Sequence, residues 1–106
     1  MQLSIALLAA FVGFSLADMH YSCTCHNGDS YNWRITSPAC AYYAPLRPAD
    51  VTYVSSSGRC TSNSGSQIDG DSWQAACQKI AVDGFACASG EGTCYADADS
   101  VKGSCD

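Results

Sequence analysis

Eight cysteines, Cys23, Cys25, Cys40, Cys60, Cys77, Cys87, Cys94 and Cys105, punctuate a chain of 106 residues. No other feature constrains the fold as much. A domain this small buries too little apolar surface to be held by its core alone, and cross-links that restrict the unfolded ensemble compensate for the deficit. An even count that reaches the penultimate residue predicts four disulfides, each stabilising by roughly 2–4 kcal/mol. Their pairing stays open, because eight cysteines allow far more connectivities than a sequence can decide. Cys23 and Cys25, two apart, are expected on opposite faces of a strand and hence on different partners. The run Cys23-Thr24-Cys25-His26 also sets soft ligands side by side. Structural zinc sites, however, use Cys-x-x-Cys pairs with a second pair at matching spacing, and none occurs here. No metal and no cofactor are expected.

Residues 3–16 (LSIALLAAFVGFSL) form an apolar run, shorter than the ~20 residues of a membrane-spanning helix. Ser15 and Ala17 put small residues on the two positions a signal peptidase reads, so residues 1–17 are expected to be a signal peptide cleaved before Asp18. Residues 18–106, with no further long apolar stretch, are then a single disulfide-stabilised domain, secreted and extracellular, without membrane association and monomeric. The leader holds no cysteine, so the 89 mature residues are 9.0% cysteine, inside the range of about 8–10% that marks a disulfide scaffold. An oxidising compartment suits that density. The formal charge is −5, and the basic residues Arg34, Arg47, Arg59, Lys79 and Lys102 are spread singly. Nucleic acids and anionic membranes need concentrated positive charge, so neither is an expected partner.

Residues 18–25 are short and partly alternating and read as a strand, broken by turn residues at 26–29. Residues 36–44 offer Thr36 or Ser37 as a cap and Pro38 in the first turn of a helix of about two turns, stopped by Pro45 and Pro48. Val51-Thr52-Tyr53-Val54 reads as a strand, resumed at residues 59–61 as a hairpin, and residues 62–67 as a polar loop. From Asp71, the residues Trp73, Ala76, Cys77, Ile80 and Ala81 recur as one apolar stripe of a helix. Asp71 and Gln74 have capping-box spacing and Gly84 ends the helix. Cys77, on the stripe, is expected to tie this helix to the sheet beneath. Residues 85–88 and 93–96 read as a closing hairpin, and residues 97–106 as a polar, acidic tail pinned by Cys105. The expected fold is therefore α+β, a small disulfide-rich domain with about two helices packed on a short antiparallel sheet of three to four strands.

No catalytic constellation is legible. The mature chain offers His20, His26 and one glutamate, Glu91, whereas a ribonuclease-type site needs His, Glu and Arg held together. The serines lie in runs such as Ser55-Ser56-Ser57 without a Gly-x-Ser-x-Gly elbow. Asp97-Ala98-Asp99 and Asp69-Gly70-Asp71 lack the ligand series of a calcium loop. Aromatic residues are more informative, because amphipathic rings are common where a protein grips another protein or a sugar. Trp73 belongs to the helix core. Trp33, in a polar segment with Tyr31 and Arg34 beside it, marks the candidate binding surface, and the loops at 26–36 and 55–67 are the segments expected to be displayed.

The leader, the eight dispersed cysteines, the Cys-x-Cys of Cys23 and Cys25, and Cys60 followed by the block Ile68-Asp69-Gly70-Asp71-Ser72-Trp73-Gln74-Ala75-Ala76-Cys77 carry a resemblance. The chain resembles the small secreted cysteine-rich effectors of plant-associated fungi, of the biotrophy-associated secreted protein type, including those that share the α/β fold of a corn-smut viral killer toxin. Hydrophobins and hevein-like chitin binders are excluded by the absence of Cys-Cys doublets, and CFEM domains by a Cys-x-Cys that stands first and not centrally. The resemblance implies an apoplastic or host-interface protein that modulates plant immunity or promotes colonisation by binding a host or microbial protein or a cell-wall glycan, without enzymatic activity. The alternative is a secreted antimicrobial, killer-toxin-like or ribonuclease-like toxin.

Overall fold

A computed structural model describes residues 19–46 and 50–106; the leader, the cleavage point before Asp18 and the stop at Pro48 lie outside the described residues. The central strand is β2 (Ser22–Asn27), preceded by the two-residue β1 (Met19–His20). On one side β2 pairs antiparallel with β9 (Val101–Cys105) over its length. On its other side it pairs first with β5 (Arg59–Ser62) and then with β3 (Ser30–Tyr31). β4 (Val51–Val54) closes the sheet against β5. β1 pairs with β6 (Ile68–Asp69), and β7 (Phe85–Ala86) with β8 (Thr93–Cys94), as two separate ribbons. The helices α1 (Trp33–Leu46) and α2 (Gly70–Asp83) pack on the sheet and on each other. The fold is thus the expected small disulfide-rich α+β domain, with five strands in the main sheet.

Four disulfides consume all eight cysteines: Cys23–Cys105, Cys25–Cys77, Cys40–Cys60 and Cys87–Cys94. Cys23 and Cys25 do take different partners, but not by pointing to opposite faces. Residues two apart in a strand share a face, and both are fully buried. Their partners differ because Cys105 lies directly across from Cys23 in the neighbouring strand, whereas Cys77 sits on the helix above. Cys105, Cys23 and Cys60 form one row across β9, β2 and β5. Cys77 ties α2 to the sheet as its place on the apolar stripe predicts, and Cys40 does the same for α1.

The alternate residues of β2 carry the other face. Thr24 Oγ1 lies 3.0 Å from His26 Nε2, and Arg59 donates to Ser22 Oγ at 2.8 Å and to the Asp106 carboxylate. Half-cystines supply much of the core, joined by Ile35, Tyr43, Ile68, Trp73 and Val101. Trp73 is fully buried, donates its indole N–H to the Thr24 carbonyl at 2.8 Å and meets Tyr43 edge-on. A buried indole needs such a partner, since an unsatisfied donor costs about 1–3 kcal/mol.

Three sequence expectations are corrected. The first helix begins at Trp33, not at residue 36, because Asn32 accepts from the backbone N–H groups of Arg34 and Ile35 and so caps it. Thr36 is then interior, its hydroxyl donating to the Asn32 carbonyl at 2.8 Å and accepting from the Cys25 N–H at 2.9 Å. The helix runs through Pro38 and Pro45 to Leu46; burial of Ile35, Ala39 and Tyr43 and the Cys40–Cys60 link outweigh the backbone bond that Pro38 removes. The cap of α2 is Asp69, whose carboxylate accepts from Ser72, and Gln74 instead accepts from the Gly103 N–H at 3.1 Å. Residues 101–105 are a strand and not a polar tail, with Val101 buried. Gly84 does end α2, its N–H bonded to Ile80.

Gly103 marks the closest approach of α2 to β9. A Cβ there would stand 2.7 Å from Trp73 Cδ1 and 3.2 Å from the Gln74 backbone, so Gly103→Ala forces helix and strand apart. The expected cost is about 1–3 kcal/mol, in the range of overpacked cores. The exposed neighbour Ser104→Ala should stay within about 0.5 kcal/mol. Denaturant unfolding with disulfides intact measures both, and equal stability of the two variants would contradict this packing.

Candidate functional surface

The segment from β2 into α1 is built to present side chains outward. Asn27 and Ser30 pair across a tight turn in which Gly28 donates its N–H to the Ser100 carbonyl at 2.7 Å. β3 then delivers Tyr31, Asn32 caps the helix, and the inward face of α1 starts only at Ile35 and Thr36. Trp33 and Arg34, in the first turn, are left facing out. Trp33 is 49% and Tyr31 42% exposed, and the Arg34 guanidinium stands 4.4 Å over the Trp33 ring. Such a contact is worth about 0.5–1 kcal/mol at an exposed site and fixes the indole. The fold thus brings the three sequence-predicted residues together on one patch.

The patch has two members that local sequence does not announce. The β4–β5 hairpin loop, residues 55–58, comes up beside Tyr31, which donates its hydroxyl to the Gly58 carbonyl at 2.7 Å and lies 3.2 Å from the Tyr53 hydroxyl. Tyr53 reads locally as strand, and only the pairing of β5 with β2 carries it to Tyr31. Gly58 adopts φ +73, and a Cβ would sit 2.5 Å from the Tyr31 oxygen; glycine is required there for both conformation and space. Of the two loops expected to be displayed, 26–36 and 55–67, the first half of the second meets the first, while residues 63–67 lie apart before β6.

Two grooves flank this ridge. One, of about 450 Å³, runs between Tyr31, Trp33, Tyr53 and the Ser55–Gly58 loop. The other, of about 390 Å³, begins again at Tyr31 and Trp33 and continues past Asn32 and Arg34 to Phe85. A third depression of about 470 Å³ lies elsewhere, between Val82, Tyr95 and residues 96–100. Desolvation of its hydroxyl, with the Tyr53 hydroxyl beside it, pushes the Tyr31 pKa up to about 12. Tyr31 therefore stays a neutral hydrogen-bonding group throughout the physiological range.

Of the groups that a catalytic reading needs, His20 shares Asp106 with Ser22 and Arg59, whereas Glu91 lies in the Cys87–Cys94 loop. His20 Nδ1 lies 2.9 Å from the Asp106 main-chain oxygen, His26 packs edge-on to Tyr31, and Glu91 sits in the exposed Cys87–Cys94 loop bonded to Ser89. The sulfurs of Cys23-Thr24-Cys25-His26 are both in disulfides. Among the described residues no helix is long and apolar enough to cross a membrane. Comparison of the chain with family models, curated sequences and solved structures finds no match.

The Tyr31 hydroxyl, desolvated beside the Tyr53 hydroxyl, has a pH signature. The Tyr31 pKa is raised on folding from 10.0 to about 12, so the stability linked to it is complete below pH 10.0 and falls as pH rises toward about 12. In an ultraviolet phenol titration one tyrosine should ionise near pH 12, and Tyr31→Phe should remove that late step. Tyr53→Phe should shift it toward pH 10.0, and Gly58→Ala should cost about 1–2 kcal/mol for the left-handed conformation. An unchanged late step in Tyr31→Phe would contradict the assignment.

Proposed function

We propose that this protein is a secreted, monomeric, cysteine-rich effector of the fungal type that acts by binding at the host–microbe interface, modulating plant immunity or promoting colonisation in the apoplast. Its binding surface is the Tyr31–Trp33–Arg34 patch with Tyr53 and the Ser55–Gly58 loop. One observation carries the reading. Two large aromatic side chains stand half exposed where two grooves meet, and hydrogen bonds, a helix cap and a stacked guanidinium hold them in place. Large aromatics are enriched at the centres of binding sites, and fixing them beforehand lowers the entropy lost on binding. A framework of four disulfides supports the extracellular part of the proposal.

The test is capture of partners from the extracellular fluid of colonised tissue, with tagged protein and a reduced, alkylated sample as folding control. Trp33→Ala should retain the fold and lose captured material by about tenfold or more, as truncation of a central aromatic does. Equal capture by Trp33→Ala would overturn the choice of surface. Turnover of RNA or another substrate that a His20 or His26 substitution abolishes would overturn binding as the mode of action.

A further inference from the structure

The four disulfides differ in how a reagent can reach them. Cys23, Cys25, Cys60 and Cys77 are fully buried and Cys40 nearly so, which puts at least one half-cystine of three links inside the core. In the fourth, Cys87–Cys94, both half-cystines are partly exposed. Cys94 also lines the groove that runs from Trp33 and Arg34 to Phe85, and through that groove a small thiol can approach the bond. Thiol–disulfide exchange requires such access, and exposed disulfides are the labile, regulatory ones.

The surroundings decide what a cut would release. The link spans 7 residues, against 20, 52 and 82 for the others, so in the chain-entropy view it stabilises the fold least. β7 and β8 share two register pairs, Phe85 with Cys94 and Ala86 with Thr93, and a ribbon that short does not hold by itself in water. Residues 88–93 between the half-cystines are exposed, with Gly90 and Gly92 at positive φ. Cys105 is the rival target, being partly exposed. Five register pairs hold β9 on β2, however, and keep a thiol at Cys105 beside Cys23, where the bond re-forms. Opening at Cys87–Cys94 is bounded on both sides. The Gly84 N–H is bonded to the Ile80 carbonyl and the Ala96 N–H to the Ala81 carbonyl, which leaves residues 85–95 as the segment set free. Phe85, Ala88 and Cys94 of that segment line the groove together with Trp33 and Arg34, so what lets go is one wall of the groove.

We propose that Cys87–Cys94 is a redox switch: a monothiol of the glutathione class reduces it ahead of the other three links, and the freed β7–β8 segment opens the groove beside Trp33 and Arg34. A thiolate attacks one of the two sulfurs, forming a mixed disulfide and breaking the Cys87–Cys94 bond, and the sulfur set free takes a proton. A second thiol displaces the first from the mixed disulfide. Two thiols are thereby oxidised to their own disulfide, and Cys87 and Cys94 together gain two electrons and two protons. The effect on partner capture rests on the proposal that the Trp33 patch is the binding surface, whereas the order of reduction does not.

Incubation of the oxidised protein with graded glutathione, quenched by alkylation and read by peptide mass mapping, gives the order of reduction. Cys87 and Cys94 should be labelled about tenfold or more faster than the other cysteines, whose links open only with the core. Amide spectra of the partly reduced protein should change at residues 85–95 and 33–34 and stay as in the oxidised form across β2, β5 and β9. The double variant Cys87→Ser with Cys94→Ser should show the same spectrum without any thiol. Its capture of partners from extracellular fluid should fall by about fivefold or more, the lower end of common coupling between sites. Earlier labelling of Cys23 and Cys105, simultaneous labelling of all eight cysteines, or selective labelling with unchanged amides at 33–34 would overturn the switch. If reduction is selective and the spectra change while capture is indifferent to Trp33→Ala, the binding surface falls and the switch stands. If capture depends on Trp33 and is undiminished in the double variant, the surface stands and its control by the switch falls.

Discussion

Everything in this fold depends on how β2 is held. The strand is paired along one side by β9 and along the other by β5 and β3, and two of its six residues are half-cystines. Cys23 fastens it within the sheet and Cys25 fastens it to α2. Trp73 adds a hydrogen bond to the Thr24 carbonyl, and the Thr36 hydroxyl of α1 accepts from the Cys25 N–H. Both helices and three strands therefore take their positions from this one strand. The two links span 82 and 52 residues, and closing loops of that length in the unfolded chain accounts for about 4 kcal/mol each in the chain-entropy view. The Cys87–Cys94 link spans 7 and staples only the β7–β8 ribbon.

The candidate surface inherits its order from that strand. Asn27 and His26 of β2 position the turn and the Tyr31 ring, and β5, in register with Cys23, carries the 55–58 loop toward it. Neither loop has a core of its own. What keeps them together is the hydrogen bond from Tyr31 to Gly58, at a place where any side chain larger than glycine's would block contact. A surface preorganised in this way loses little conformational freedom when a ligand arrives, which is how a small domain achieves useful affinity from few contacts.

How much of this the sequence discloses follows from which forces are local. The stripe from Trp73 to Ala81 is periodic, so α2 and the inward direction of Cys77 are readable. The β4–β5 hairpin is equally plain from Val51-Thr52-Tyr53-Val54 and Gly58. The early start of α1 is hidden because Thr36 looks like a cap and is instead a buried bridge to Cys25. β9 is hidden because Lys102, Gly103 and Ser104 have poor strand character. It forms because Cys105 is tied opposite Cys23 and because Gly103 admits Trp73. At the surface, Tyr31, Trp33 and Arg34 are legible as aromatic and basic residues within a polar stretch. Tyr53 and the serine loop are not, since a contact 22 residues away in sequence exists only once β5 has paired.

Native-state amide hydrogen exchange, read strand by strand in two double variants, tests the central role of β2 most directly. Cys25→Ser with Cys77→Ser should lower protection across β2, β5 and β9 together, by the equivalent of about 2–5 kcal/mol in opening free energy. Cys87→Ser with Cys94→Ser should leave those strands at wild-type protection and loosen only β7 and β8. Wild-type protection of β2 after loss of the Cys25–Cys77 link, or the same loss in both variants, would contradict the account.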